Sequence, residues 1–163
     1  MNIERMKLFL AKVLSTCGGL GYFPAAPGTF VSFIAVLLFV FTPLCRDTAI
    51  LFIVIAFGFF LGAWAGGVME SAFGDDPSIV TIDELVGQWI ALAALPAGLP
   101  AVVLAFVFFR FFDIAKPGLV DRAQQLPGGW GIMVDDLLAG IYANLSVRAL
   151  LALFSLLHVT FPG

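Results

Sequence analysis

The chain has 163 residues, of which 61% are hydrophobic and 12% charged, and its mean hydropathy is +1.08. This composition is far more apolar than that of a soluble domain and predicts an integral membrane protein with a single domain, residues 1–163. The formal net charge of −3 excludes the basic surface with which a protein binds nucleic acid. Cys17 and Cys45 are too few to define a disulfide framework.

The N-terminal residues predict an amphipathic helix at the membrane surface. Leu8, Leu10, Val13 and Leu14 have nearly helical spacing, and basic residues between them can face anionic headgroups. Lysines interrupt the apolar run and no A-x-A cleavage signal follows, so the segment is not a removable signal peptide. The prolines of "GYFPAAPGT" predict that this helix has ended before them.

Four or five apolar segments follow and predict an all-α, integral membrane helical bundle of about four to five membrane helices. The second segment is clearly long enough to span about 30 Å of hydrocarbon at 1.5 Å per residue. The third is too short to span alone and favours a short or re-entrant helix. The segments run over Thr29–Leu44, Thr48–Val68, Leu85–Leu95, Leu99–Phe112 with room to extend to Ala115, and Leu137–Phe161.

The basic residues predict the orientation of the bundle. With five crossings and a cytoplasmic N-terminus, the external parts hold only one basic residue, Arg46, as the positive-inside rule favours. The C-terminus is then external. Three polar stretches meet at the cytoplasmic face: "GYFPAAPGT", "DDPSIVTIDELVG" and "FRFFDIAKPGLVDRAQQLPGGWGIMVDD".

Two pairs of acidic residues are predicted to meet at this face. Asp83 and Glu84 open one predicted helix, where the helix dipole favours carboxylates, and Asp135 and Asp136 open another. A carboxylate beside the membrane is costly unless it is paired or holds a metal. The pattern therefore predicts an oxygen-ligand site for a divalent cation such as Mg²⁺.

The basic residues of "FRFFDIAKP" complement this acidic group. Arg110, Asp113 and Lys116 repeat every three residues and so share roughly one side of a helix. The two cations and the nearby helix N-termini are left to receive an anion, for which phosphate is the natural candidate.

Several charged residues also have structural interpretations. Asp83 or Asp135 taken alone is typical of a helix cap. Arg110 and Asp113 could equally form a structural ion pair. Outside the predicted site, Asp75 and Asp76 are interpreted as solvated turn charges, Arg122 as a topology signal, and Asn144 and Arg148 as an internal pair within the last segment.

Four stretches resemble, in order and spacing, the signature blocks of the phosphatidylglycerophosphatase A family: "APGTF", "IVTIDELVGQWIAL", "FRFFDIAKP" and "GGWGIMVDDLLAG". The resemblance extends from about Gly18 to Gly140. It implies a multi-pass enzyme of the bacterial inner membrane with its active site facing the cytoplasm. The implied reaction is Mg²⁺-dependent hydrolysis of the terminal phosphate monoester of phosphatidylglycerophosphate to phosphatidylglycerol and inorganic phosphate.

The residue inventory narrows the mechanism of such a phosphatase. His158 is predicted on the far side of the membrane, which excludes it as nucleophile or general acid. Cys17 is not followed by a phosphate-binding loop that ends in arginine, and no aspartate-x-aspartate pair is present. What remains is hydrolysis by water activated on one or two Mg²⁺ ions.

In this hypothesis the metal ligands come from Asp83, Glu84, Asp135 and Asp136, one of which could instead be the general base. Asp113 is a further ligand or orients Lys116. The cations stabilise the phosphoryl oxygens, and hydroxyl groups assist binding. The predicted catalytic residues are Asp83, Glu84, Arg110, Asp113, Lys116, Asp135 and Asp136, and the predicted substrate-binding residues are Thr29, Ser32, Arg110 and Lys116.

Two other functional classes compete with the phosphatase interpretation. A small membrane transporter or channel could use the carboxylates as a cation site, but the charges gather at one face and no internal repeat is visible. A non-catalytic membrane scaffold would leave the acidic cluster without a purpose. The sequence does not indicate an oligomeric state.

Overall fold

The computed structural model describes residues 2–42, 47–74, 76–96 and 98–157, and over these residues the chain is all-α, as expected. Cys45, Arg46, Asp75 and His158 lie outside the described residues. The α-helices are α1 (Ile3–Ser15), α2 (Pro27–Phe41), α3 (Thr48–Phe73), α4 (Ile82–Leu92), α5 (Leu99–Ala115), α6 (Leu119–Ala123) and α7 (Gly129–Leu156), and a 3₁₀-helix covers Cys17–Tyr22.

Helix α4 is the centre of the bundle. It packs against α2, α3, α5 and α7, and most of its side chains are buried. Its 11 residues give a length of only about 16 Å. The expectation of a short third segment is therefore confirmed, although the helix begins at Ile82 and not at Leu85.

Within the described residues, two helices are long and apolar enough to cross a membrane. They are α3, with 26 residues, and α7, with 28. Helices α2, α4 and α5 have 15, 11 and 17 residues and do not reach that length. The predicted number of four to five membrane helices is therefore not confirmed.

Helix α7 begins at Gly129, eight residues before the predicted start at Leu137. Gly129 has no side chain, and its Cα lies against the carbonyl of Ala63, so the first turn of α7 packs directly on α3. Asp135 and Asp136 consequently lie in the second turn of α7. The prediction that they open a helix is wrong.

The C-terminal end of α4 is bound by polar side chains of α7. A helix end leaves carbonyl groups without intrahelical partners, which is costly in apolar surroundings. The side chain of Arg148 donates to that of Asn144 at 2.8 Å, which is the expected internal pair. Asn144 also donates to the carbonyls of Ile90, Ala91 and Ala93 at 2.9–3.3 Å, and Arg148 to those of Ala93 and Ala94 at 3.3 and 2.7 Å.

We expect the substitution Asn144→Ala to lower the free energy of unfolding by about 1–3 kcal/mol, because buried carbonyls at the end of α4 lose their donor. Thermal unfolding in detergent measures the change. Ser155→Ala, an exposed position on the same helix, is the matched control. Equal stability of Asn144→Ala and the parent protein would contradict the capping role.

Candidate functional site

A cavity of about 250 Å³ lies at one end of the bundle. Helices α2, α4 and α7 run away from it and α5 runs towards it, so that the N-terminal ends of α2 and α4 point their free amides and positive dipoles at the cavity. A loop, residues 76–80, forms the remaining wall. The charged residues that line it are Asp76, Asp83, Glu84, Arg110, Asp113, Lys116, Asp135 and Asp136.

The structure thus brings all seven predicted catalytic residues to one cavity. The substrate-binding prediction Thr29 also lines it. A larger cavity of about 480 Å³ lies between α1 and α3, but Glu4 and Lys7 are the only charged residues in its described lining. The charged residues are therefore concentrated at the smaller cavity.

Three carboxylates form a tight group in the cavity wall. One oxygen from each of Asp83, Glu84 and Asp136 lies within 4.8 Å of the others. Asp83 Oδ1, Glu84 Oε2 and Asp136 Oδ2 are buried and have no hydrogen-bond partner among the described residues. Unpaired buried carboxylate oxygens are costly, and oxygen donors of this kind are those that Mg²⁺ and Ca²⁺ prefer. The donor set therefore fits a hard divalent cation.

Burial and mutual repulsion shift the acid–base properties of this group. Burial raises the pKa of Asp83 well above its ordinary value, and the neighbouring charge of Glu84 raises it further. Burial likewise raises the pKa of Glu84. Both shifts mean that the group holds its negative charges only at a cost, which a bound cation would relieve.

The start of α2 makes room for the carboxylate of Glu84. Pro27 begins the helix, where its missing N–H costs nothing. A Cβ atom at Gly28 would overlap Glu84 Oε1, so a glycine is needed for this approach. The "APGT" stretch therefore places the first turn of α2 directly against the acidic group.

Both cations of the site are paired with carboxylates. Arg110 Nη1 lies 2.7 Å from Asp113 Oδ2, so these two residues form an ion pair. Lys116 Nζ lies 2.6 Å from Asp135 Oδ2. Asp135 is thereby directed to Lys116, while Asp136 faces the acidic group. Three of the four predicted metal ligands therefore lie together, and the fourth, Asp135, is paired with Lys116.

The environment of Lys116 keeps its side chain protonated. Burial alone would lower the pKa of the ammonium group, but the hydrogen bond and the negative charge of Asp135 outweigh burial and raise it above its ordinary value. The backbone of Lys116 has φ = +44° and ends α5, which turns the side chain towards α7. A fixed cation thus faces the cavity.

Ser32 lies one turn deeper in α2 than Gly28 and is fully buried. Its hydroxyl donates to the Gly28 carbonyl at 2.8 Å and accepts from Arg110 Nη1 at 3.4 Å. Ser32 is not among the described residues that line the cavity. It therefore contacts the arginine, and its predicted binding of substrate stays a prediction.

Asp76 is a cavity residue that the sequence did not indicate. The "FGDDPS" turn predicts a solvated charge, and Asp76 is exposed as predicted. It also lines the main cavity and an adjoining one of about 190 Å³ that Glu70 and Asp135 also line. Its φ of +42° belongs to a left-handed conformation that aspartate tolerates better than most residues. Only the three-dimensional path of the loop reveals this position.

The thiol of Cys17 is unsuited to nucleophilic attack. Its Sγ lies 3.6 Å from the carbonyl oxygen of Thr81. Burial raises the pKa of Cys17 to about 11, so that the thiol stays protonated at neutral pH. This agrees with the exclusion of a cysteine phosphatase mechanism.

Residues 13–151 match the profile of the family described as Phosphatidylglycerophosphatase A. A Bacteroides thetaiotaomicron protein named "Putative phosphatidylinositol-3-phosphatase" is 40% identical over 145 residues, which cover 83% of this chain and 89% of that protein. Proteins named Phosphatidylglycerophosphatase A from Haemophilus influenzae and Escherichia coli are 37% and 36% identical, over 81% and 76% of this chain and 83% and 73% of theirs. No solved structure matches the chain.

We expect Asp83→Asn to raise the thermal unfolding midpoint when a chelator removes divalent cations, because the change deletes one of several buried like charges. The gain should be about 1 kcal/mol or more. Added Mg²⁺ should stabilise the parent protein more than the variant.

Asp121→Asn, an exposed acidic position on α6, is the control and should change stability by less than about 0.5 kcal/mol. A lower midpoint for Asp83→Asn in chelator would indicate that Asp83 serves the fold as a helix cap.

Proposed function

Because the chain belongs to the phosphatidylglycerophosphatase A family, a family of phosphatases, we propose that it hydrolyses the terminal phosphate monoester of phosphatidylglycerophosphate. The products are phosphatidylglycerol and inorganic phosphate. One observation carries this proposal: three carboxylates, each with a buried oxygen, and two paired cations line the same cavity. A phosphate monoester requires both a metal ligand set and groups that balance its negative charge.

Asp83, Glu84 and Asp136 are the proposed ligands of Mg²⁺. Bound there, the ion would supply Lewis-acid polarisation of the phosphoryl group and a lower pKa for the attacking water. Asp113 lines the same cavity as Asp136 and is paired with Arg110. Asp113 is therefore placed either to complete the ligand set or to accept the proton that the attacking water loses.

Arg110 and Lys116 are the proposed partners of the phosphoryl oxygens. Each is held by its own carboxylate, Asp113 or Asp135, so that the cations are already oriented before the substrate arrives. Preorganised charges of this kind stabilise the transition state without reorganising during the reaction. Thr29 adds a hydroxyl group from the first turn of α2.

The proposed location is the bacterial inner membrane, with a multi-pass chain and the cavity at the cytoplasmic face. Helices α3 and α7 have the length and hydropathy of membrane spans. Helices α2, α4 and α5 pack beside them as shorter membrane-embedded elements. Most basic residues lie in the segments at the same end of the bundle as the cavity, and the positive-inside rule then favours a cytoplasmic location for that end.

A transporter or channel accounts less well for the polar groups of α7. Such a protein needs a polar path that continues from the carboxylates through the bundle. Asn144 and Arg148, which lie further along α7, are instead bonded to the end of α4. The carboxylates therefore belong to a site at one end of the bundle, which favours an enzyme.

Phosphate release by the purified protein in detergent micelles tests the proposal directly. We expect release from phosphatidylglycerophosphate that needs Mg²⁺ and stops with chelator. Phosphatidylinositol 3-phosphate should be assayed in parallel, because the Bacteroides relative carries that substrate in its name. Asp136→Asn should lower turnover by about 10²-fold or more, whereas Asp121→Asn should not. Failure of folded protein to release phosphate from phosphatidylglycerophosphate would overturn the proposal, whether or not the other lipid is hydrolysed.

We expect Lys116→Ala to lower kcat by about 10²-fold while the Mg²⁺ concentration for half-maximal activity changes much less, because the lysine contacts the anion and not the cation. Steady-state rates across a magnesium titration separate the two effects. Arg122→Ala, an exposed cation on α6, is the control. A shifted magnesium requirement with normal kcat would mean that Lys116 only orients Asp135.

A further inference from the structure

The cavity has one side that faces away from the centre of the bundle. Its α4 wall is enclosed by α2, α3, α5 and α7, and its α7 wall packs against α3 and α5. Helices α2 and α5 are the outer walls, and they contact each other only sparsely. The junction between α2 and α5 is therefore the side from which a lipid in the bilayer can reach the cavity.

Aromatic side chains continue this junction away from the cavity. Thr29 and Arg110 line the cavity, and the residues one turn further along the same helix faces are Phe33 on α2 and Phe106 on α5. The two rings meet edge to face with centroids 6.5 Å apart. Phe33 is 48% exposed, and Val103, nearly one turn beyond Phe106, is 49% exposed. We call Phe33, Val103 and Phe106 the α2–α5 seam.

The polar cavity and the apolar seam follow each other along the helices as the headgroup and the acyl chains do in a phospholipid. Arg110 marks the boundary: its guanidinium donates to Ser32 at 3.4 Å beneath the cavity, and Phe106 lies about 6 Å further along α5. Two cations thus lie at the end where the headgroup of a lipid would be, and the exposed ring of Phe33 and the half-buried ring of Phe106 lie on the side of its hydrocarbon chains.

We propose that an acyl chain of the substrate lies along the α2–α5 seam while the phosphate monoester enters the cavity between Arg110 and Lys116. This inference rests on the proposed function. The seam then contributes binding energy from a part of the substrate that does not react, and determines that the enzyme prefers a lipid to a soluble phosphate ester. Phe33 and Phe106 are the specificity-determining residues.

Kinetics with two substrates test the seam. The lipid is long-chain phosphatidylglycerophosphate in mixed micelles, and the soluble ester is its deacylated headgroup. We expect the double substitution Phe33→Ala and Phe106→Ala to raise KM for the lipid on the order of tenfold, through lost apolar contact, and to leave kcat/KM for the soluble ester unchanged.

The matched control is Phe57→Ala on α3. Phe57 is 67% exposed, but α3 contributes none of the described residues that line the cavity. This variant should leave both substrates unaffected. An unchanged lipid KM in the seam variant, or an equal loss with lipid and soluble ester, would overturn the inference. Absence of phosphate release by the parent protein from either substrate would overturn the proposed function itself.

Photochemical labelling locates the bound acyl chain of the lipid and does not depend on turnover. A phosphatidylglycerophosphate analogue with a photoreactive group on one acyl chain should label peptides of α2 and α5, and excess unlabelled substrate should suppress that labelling. Labelling spread evenly over α2, α3, α5 and α7, with no suppression by substrate, would show that no acyl chain is held at the seam.

Discussion

The repulsion among three closely spaced carboxylates is the constraint on which the site depends. Asp83, Glu84 and Asp136 come from two helices and bring oxygens within 4.8 Å of one another. Such an arrangement opposes folding unless something relieves it. The fold brings the N-terminal amides of α2 and α4 to the same place, and two cations complete the cavity wall. What remains unpaired is suited to a cation, and the amides and basic side chains are suited to an anion.

The short central helix makes this arrangement possible. Because α4 has only 11 residues, its two ends lie within the bundle and both need polar partners. At one end the partners are the groups of the cavity. At the other end Asn144 and Arg148 of α7 bind the free carbonyls. Helix α7 therefore contacts both ends of α4 and fixes how far Asp83 and Glu84 extend towards Asp136.

Most of the site could be predicted from the sequence because its residues are charged and the rest of the chain is largely apolar. Acidic and basic side chains are rare in a chain with 12% charged residues, and each one in an apolar context needs a reason. The positions of Asp83 and Glu84 in a first helical turn follow from the pattern. Asp76 was missed because turn sequences do not specify the direction of a loop. The start of α7 was misplaced because glycines commonly signal turns, whereas here Gly129 permits close packing on α3.

The adjacent aspartates of α7 explain how one helix contacts both the acidic group and Lys116. Neighbouring side chains on a helix leave the backbone about 100° apart, and these two carboxylates face different partners. Asp136 turns towards Asp83 and Glu84, and Asp135 turns towards Lys116 at 2.6 Å. The backbone amide of Asp136 donates a hydrogen bond to Asp135 Oδ1 at 2.9 Å, which helps to fix the carboxylate of Asp135. The pair therefore sets the distance between the proposed cation site and Lys116.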